Sequence, residues 1–135
     1  LLVWQSQAES IDQFMNSLGT RYTMYFNKKY KRVGPLFQGV YKAVRVTSDE
    51  QLLYLTKYIH RNPDPDEGKL FISYPYSSYG VYRGRVNLKW VESKIILDIV
   101  TQNDKKQHDK YCDFVEDRRD IEKMTYLLKD TVVDL

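Results

Sequence analysis

The sequence predicts an α+β fold. Two runs, residues 1–5 and 37–46, are dense in aliphatic, aromatic and β-branched residues in the manner of strands. Several longer segments repeat apolar residues at intervals of three and four, the period of an amphipathic helix. Gly34-Pro35 and Pro63 punctuate the chain between these segments.

Residues 1–5 read as the end of a strand. The run Ser10-Ile11-Asp12-Gln13 fits an S-x-x-Q capping box. Beyond it Ile11, Phe14, Met15, Leu18, Tyr22, Tyr25 and Phe26 keep helical spacing, which predicts a helix over about residues 11–29. After the Gly34-Pro35 turn comes the second strand, 37–46. Thr47-Ser48-Asp49-Glu50 opens another helix, with Leu52, Leu55 and Ile59 on its apolar stripe. Pro63 stops that helix at or near Asn62, since a residue before proline avoids the α region.

An acidic loop follows over 64–68, then an aromatic turn over 74–79 and a loop over 80–86. Residues 90–100 predict a helix with Ile95, Ile96 and Ile99 inward, and 102–106 a polar linker. Segments 111–117 and 121–128 predict two short helices. The expected organisation is a principal domain over 1–86 and a helical extension over 87–135. The sequence has no internal repeat, glycine-rich phosphate loop or zinc-type ligand spacing.

No apolar run approaches the length that spans a bilayer, and no signal-peptide pattern opens the chain. Cys112, the single cysteine, cannot pair within the chain and fits a reducing, cytoplasmic setting; its apolar neighbours favour a packing role over a nucleophilic one. Net charge is +3, but Arg21, Lys28, Lys29, Lys31, Arg32, Lys42 and Arg45 fall in a segment with no acid, so the remainder is net negative. Tyr22, Tyr25, Phe26, Tyr30, Phe37 and Tyr41 are interleaved with these cations. Cations neutralise phosphates and aromatic faces stack on unpaired bases, so the seven cations are candidate DNA contacts. Most of the aromatics are expected to face a core.

The run Tyr58-Ile59-His60-Arg61-Asn62-Pro63 carries the most chemistry. Tyr58 and Asn62 are four residues apart and share a helix face. A tyrosine can be a covalent nucleophile, and a carboxamide oxygen suits a hard divalent cation. By position alone, the structural reading of Tyr58 prevails: a boundary tyrosine with a buried ring and a wet hydroxyl. His60 points away from this pair by helical phase, and His108 lies in a polar stretch. Both histidines read as structural or solvent residues.

Several ordered motifs over residues 1–82 resemble the single-tyrosine HUH transposases of bacterial insertion sequences, in particular the REP-associated tyrosine transposases. Those motifs are Tyr25-Phe26-Asn27-Lys28-Lys29-Tyr30, Gly34-Pro35-Leu36-Phe37-Gln38-Gly39, Tyr41-Lys42-Ala43, the Tyr58–Pro63 run and Tyr74-Pro75-Tyr76-Ser77-Ser78-Tyr79. The resemblance implies a ferredoxin-like fold, present here as a C-terminal fragment, and single-stranded or hairpin DNA as substrate. It implies that Tyr58 attacks a phosphodiester to leave a 5′-phosphotyrosine, and that Asn62 ligates Mg²⁺ or Mn²⁺. The family's other metal ligands, an H-x-H pair, would fall directly before Leu1. A chain that starts at Leu1 is therefore expected to lack part of the sheet and to be inactive alone, although the intact protein would be a metal-dependent nickase. The alternative is a non-catalytic module that binds the same DNA. An exposed half-sheet edge predicts pairing with a second copy, a homodimer.

Overall fold

The computed structural model describes residues 1–63, 70–101 and 105–129. The acidic loop 64–68 and most of the linker, 102–104, lie outside the described residues. The chain divides into two compact units, Leu1–Ala43 and Val44–Leu135.

The first unit is built on one long helix, α1 (Ser10–Tyr30). Its 21 residues span about 31 Å at ~1.5 Å per residue. The expected capping box is not formed. Glu9 occupies the cap position in the left-handed region (φ 66°), and the Ser10 hydroxyl instead donates backwards to the Gln7 carbonyl at 2.7 Å. At the other end Lys31 (φ 51°) takes the left-handed role that glycine usually fills, and its N–H returns to the Asn27 carbonyl. The Asn27 side chain then donates to the Gly34 carbonyl at 2.8 Å, holding the turn. From there the chain doubles back: the Phe37 ring lies 6.2 Å from that of Tyr22, and the Tyr41 hydroxyl donates to the Asp12 carboxylate.

Among the described residues, the second unit holds five helices: α2 (Asp49–Arg61), α3 (Tyr79–Tyr82), α4 (Lys94–Thr101), α5 (Gln107–Glu116) and α6 (Ile121–Leu128). A short 3-10 turn, Leu70–Ile72, precedes α3. Helix α2 starts where the sequence places it, but the capping pair is shifted by one residue. Ser48 Oγ accepts from the Gln51 N–H at 3.1 Å, while Gln51 Oε1 accepts from the Thr47 N–H at 2.8 Å. It ends as expected, with the Asn62 N–H closing on the Tyr58 carbonyl at 2.9 Å before Pro63. Helix α2 packs against α4, α5 and α6, and α5 packs against α3 and α4. Phe71, Tyr79, Tyr82, Ile96, Leu97, Tyr111 and Val115 form the core between them.

The ferredoxin-like α+β expectation is overturned, because the described residues contain helices and no strand. Residues 1–5 and 37–46 have strand-like composition but, among the described residues, no extended partner to complete a backbone ladder. β-propensity largely measures fit to a neighbouring strand, so composition alone does not hold a strand in place. With no sheet among the described residues, the edge that motivated the homodimer is also absent.

Smaller differences concern boundaries. Helix α4 begins at Lys94, whose N–H is bonded by the Glu92 carboxylate at 2.9 Å; residues 90–93 stay outside it. Its inward residues are Ile96 and Leu97, while Ile95 is exposed. Part of the expected loop 80–86 is the single helical turn α3. The core-facing aromatic stripe of the basic segment is not formed: α1 buries no residue, and Tyr22, Tyr25, Tyr30 and Phe37 are all exposed.

Candidate functional site

The last turn of α2 sorts the Tyr58–Pro63 run onto two sides. Tyr58 is half-buried and Asn62 is exposed. His60 is 1% exposed and sits in the core. Its Nδ1 is 2.9 Å from the Tyr111 hydroxyl of α5, and its Nε2 is 2.9 Å from the Ser78 hydroxyl just before α3. The rings of Tyr79, Tyr82 and Tyr111 pack around it at 5.2, 4.7 and 5.9 Å. Burial pushes the imidazole pKa down to about 4, so it is neutral at ordinary pH. One ring nitrogen then donates and the other accepts, and two hydroxyls can meet that demand.

Arg61 is a second anchor. Its Nη1 donates to the carbonyls of Val115 (3.1 Å) and Asp117 (3.4 Å), satisfying the open end of α5. Its guanidinium also lies 5.8 Å from the Phe71 ring centroid. The Tyr58–Pro63 run is thus bonded directly to the Tyr74–Tyr79 motif through His60 and Ser78.

Around this core, burial raises the pKa values of Tyr79, Tyr82 and Tyr111, that of Tyr82 to about 12 with the Glu92 charge adding to it. These phenols stay protonated and can serve as neutral hydrogen-bonding groups.

Lys57, the residue before Tyr58, is completely buried. Its ammonium lies 4.8 Å above the Phe114 ring and 3.8 Å from the Asp120 carboxylate, without a hydrogen bond among the described residues. Burial lowers its pKa more than Asp120 raises it. The Asp120 carboxylate also accepts from the Tyr54 hydroxyl at 3.3 Å. The sequence reading passed over Lys57, although its spacing of three from both Tyr54 and His60 puts it on the buried face.

His108, the other histidine, donates from Nδ1 to the Tyr82 carbonyl at 2.8 Å. Its ring covers Gly84, where an added Cβ would meet it at 3.2 Å. Cys112 is a free thiol, half-buried against the core.

The seven candidate DNA-binding cations are all exposed. Arg21, Lys28, Lys29, Lys31, Arg32 and Lys42 belong to the first unit, and Arg45 to the second. At the end of α1 the cations and rings interlock. Lys29 Nζ is 5.7 Å from the Tyr25 centroid and 5.4 Å from that of Tyr30, and the Arg32 guanidinium is 5.9 Å from Phe26. The Phe26 and Tyr30 rings are 4.4 Å apart. At the start of α1, Val3, Trp4, Gln5, Ser6, Ser10, Ile11 and Phe14 line a shallow cavity of about 220 Å³.

The described residues do not assemble a metal centre. No group of three or more His, Cys, Asp or Glu side chains is placed to hold an ion. Asn62 offers one oxygen, and both nitrogens of His60 are engaged in the core. These residues do not by themselves fit the Mg²⁺ or Mn²⁺ site that the resemblance implies.

Among the described residues, no helix is long and apolar enough to cross a membrane. Compared with known proteins, the chain matches no family model, no curated protein and no solved structure.

Proposed function

We propose that this chain belongs to an enzyme that cuts and rejoins single-stranded or hairpin DNA, in the manner of the single-tyrosine transposases its motifs resemble. In this reading the Tyr58 phenolic oxygen attacks a backbone phosphorus. A P–O bond forms to Tyr58 and the bond to the 3′-oxygen breaks. The phenol proton passes to solvent, and the departing oxygen takes up a proton to become a 3′-hydroxyl. The product is a 5′-phosphotyrosine whose reversal rejoins a strand.

The observation that carries this reading is the bond between His60 and Ser78 at 2.9 Å. It ties the Tyr58–Pro63 run and the Tyr74–Tyr79 motif into one unit. That unit leaves Tyr58 half-buried and Asn62 exposed at the end of α2. The exposed cations of α1 supply charge suited to a phosphate backbone.

The test uses the protein taken to the full extent of its reading frame, with hairpin DNA and Mn²⁺. A covalent protein–DNA species that survives denaturing electrophoresis, and that Tyr58→Phe abolishes, is the expected result. An adduct that persists in Tyr58→Phe would remove Tyr58 from this role.

A second reading is favoured by the interlocked cations and rings at the end of α1: a module that binds the same DNA without cutting it. Here Tyr58→Phe leaves affinity unchanged and no adduct forms. Charge reversal at Lys28, Lys29, Lys31 and Arg32 weakens binding and flattens the salt dependence, by about 0.7 in log–log slope for each phosphate that is no longer neutralised.

A further inference from the structure

We infer that His60 is a positioning residue: by bridging Tyr111 and Ser78 it sets the rotation of α2 that places Tyr58 and Asn62 on the side of the last turn opposite the imidazole pocket. The inference rests on the proposed reading for its catalytic meaning, but its geometric part stands alone.

An α-helix turns about 100° per residue. Tyr58 and Asn62, two residues to either side of His60, therefore each lie about 160° around the helix from it and only about 40° from one another. Whatever fixes His60 in its pocket fixes that pair on the opposite side of the last turn of α2, where Tyr58 is half-buried and Asn62 exposed.

The inward grip has a definite direction. Apolar packing alone tolerates some rotation, because rings slide over one another at little cost. Two hydrogen bonds from opposite ends of one imidazole do not. Nδ1 reaches α5 through Tyr111, and Nε2 reaches the turn before α3 through Ser78. Three aromatic rings close the remaining sides of the imidazole. A neutral imidazole also requires that one hydroxyl accept and the other donate, so replacing either partner leaves a buried ring nitrogen unsatisfied. Arg61 grips the end of α5 but is bonded there by one nitrogen to two carbonyls, which fixes position along α5 more than the phase of α2.

Ser78→Ala and Tyr111→Phe each remove one hydroxyl while keeping the packing. The first readout is the iodination rate of Tyr58 in the DNA-free protein, mapped by peptide mass spectrometry. Tyr25 and Tyr76, 59% and 87% exposed, serve as internal references. The Tyr58 rate relative to those references should change by about threefold or more in both variants, as a lost buried hydrogen bond of ~1 kcal/mol allows. The second readout is covalent adduct formation on hairpin DNA. It should slow by about tenfold or more, with hairpin affinity held within about twofold, because misplaced reacting groups lose rate before they lose binding.

An unchanged relative labelling of Tyr58 in two folded variants would overturn the inference. So would loss of the helical circular dichroism in both, which would assign the network to stability alone. Absence of an adduct in the unaltered protein sinks the nicking reading instead, and leaves the labelling comparison to decide the role of His60.

Discussion

Replacing Lys57 with methionine should stabilise the protein. The wild-type ammonium is fully buried, 3.8 Å from the Asp120 carboxylate and without a hydrogen bond among the described residues. At an effective dielectric of ~20, the attraction across that gap is about 4 kcal/mol. The Phe114 face adds ~1 kcal/mol. Against these stands a desolvation cost of several kcal/mol for a buried ion, unrelieved by any such bond. The direction of the Lys57 pKa decides the balance: it is lowered, with burial the largest cause, so Asp120 does not compensate fully.

Asp120 is itself 34% exposed and keeps the Tyr54 hydroxyl, so removal of the ammonium does not strand it. Methionine fills a similar volume and suits the Phe114 ring. The expected gain is about 1–2 kcal/mol, or about 5 °C in midpoint. Urea unfolding at pH 7, followed by circular dichroism, measures it.

The pH dependence supplies an internal control. A lysine with a depressed folded pKa binds fewer protons folded than unfolded, between that pKa and 10.5. Wild-type stability from this group therefore rises with pH through that window and is reduced below it. Arg61, Asp117 and Asp120 are the other charges acting on Lys57, and none of them is replaced. Lys57→Met should lack this rise. A variant destabilised by more than about 1 kcal/mol, together with a flat wild-type profile, would refute the reasoning and make the Lys57–Asp120 pair a net stabiliser.

Gly84→Ala should cost about 1–2 kcal/mol, because φ is +66° and the new Cβ would meet the His108 ring at 3.2 Å; thermal unfolding reads the loss. Ser48→Ala removes the acceptor for the Gln51 N–H and should cost about 1 kcal/mol in the same assay, whereas Ser10→Ala, whose hydroxyl caps no helical N–H, should cost less than half of that. On hairpin DNA, Tyr58→Phe should abolish the covalent adduct without weakening binding, and reversing the charges of Lys28, Lys29, Lys31 and Arg32 should weaken binding and lower its salt slope.

The helices were legible wherever apolar spacing and a stop signal agreed. Pro63 placed the end of α2 within one residue, and the period of 121–128 matched α6. The caps were less legible. At α1 the S-x-x-Q pattern occurs, but Glu9 in a left-handed conformation takes the cap position. At α2 the box lies one residue later than read, on Ser48 and Gln51. Strand composition misled at 37–46 because a strand is defined by a partner, and no local feature reveals that the described residues offer none.

The candidate site was half legible. Helical phase separated His60 from Tyr58 and Asn62 correctly. It could not show that His60 bonds to residues 18 and 51 positions away, since such pairings follow from tertiary packing. Lys57 was missed for a different reason. Burial of a lysine contradicts its usual preference, so only its phase relative to Tyr54 and His60 could have exposed it.

The division of labour within the Tyr58–Pro63 run has an evolutionary consequence. His60 and Arg61 spend their polar atoms on the core and on α5, while Tyr58 is half-buried and Asn62 exposed on the opposite side of the turn. Under the strand-cleavage reading proposed above, selection for folding and selection for chemistry would act on different letters of one short word. A descendant that abandoned strand cleavage would be free to drift at Tyr58 and Asn62 while still held at His60 and Arg61. A lineage that kept the chemistry would be constrained at all four, so the pattern of change at these positions would date the loss of activity without an assay.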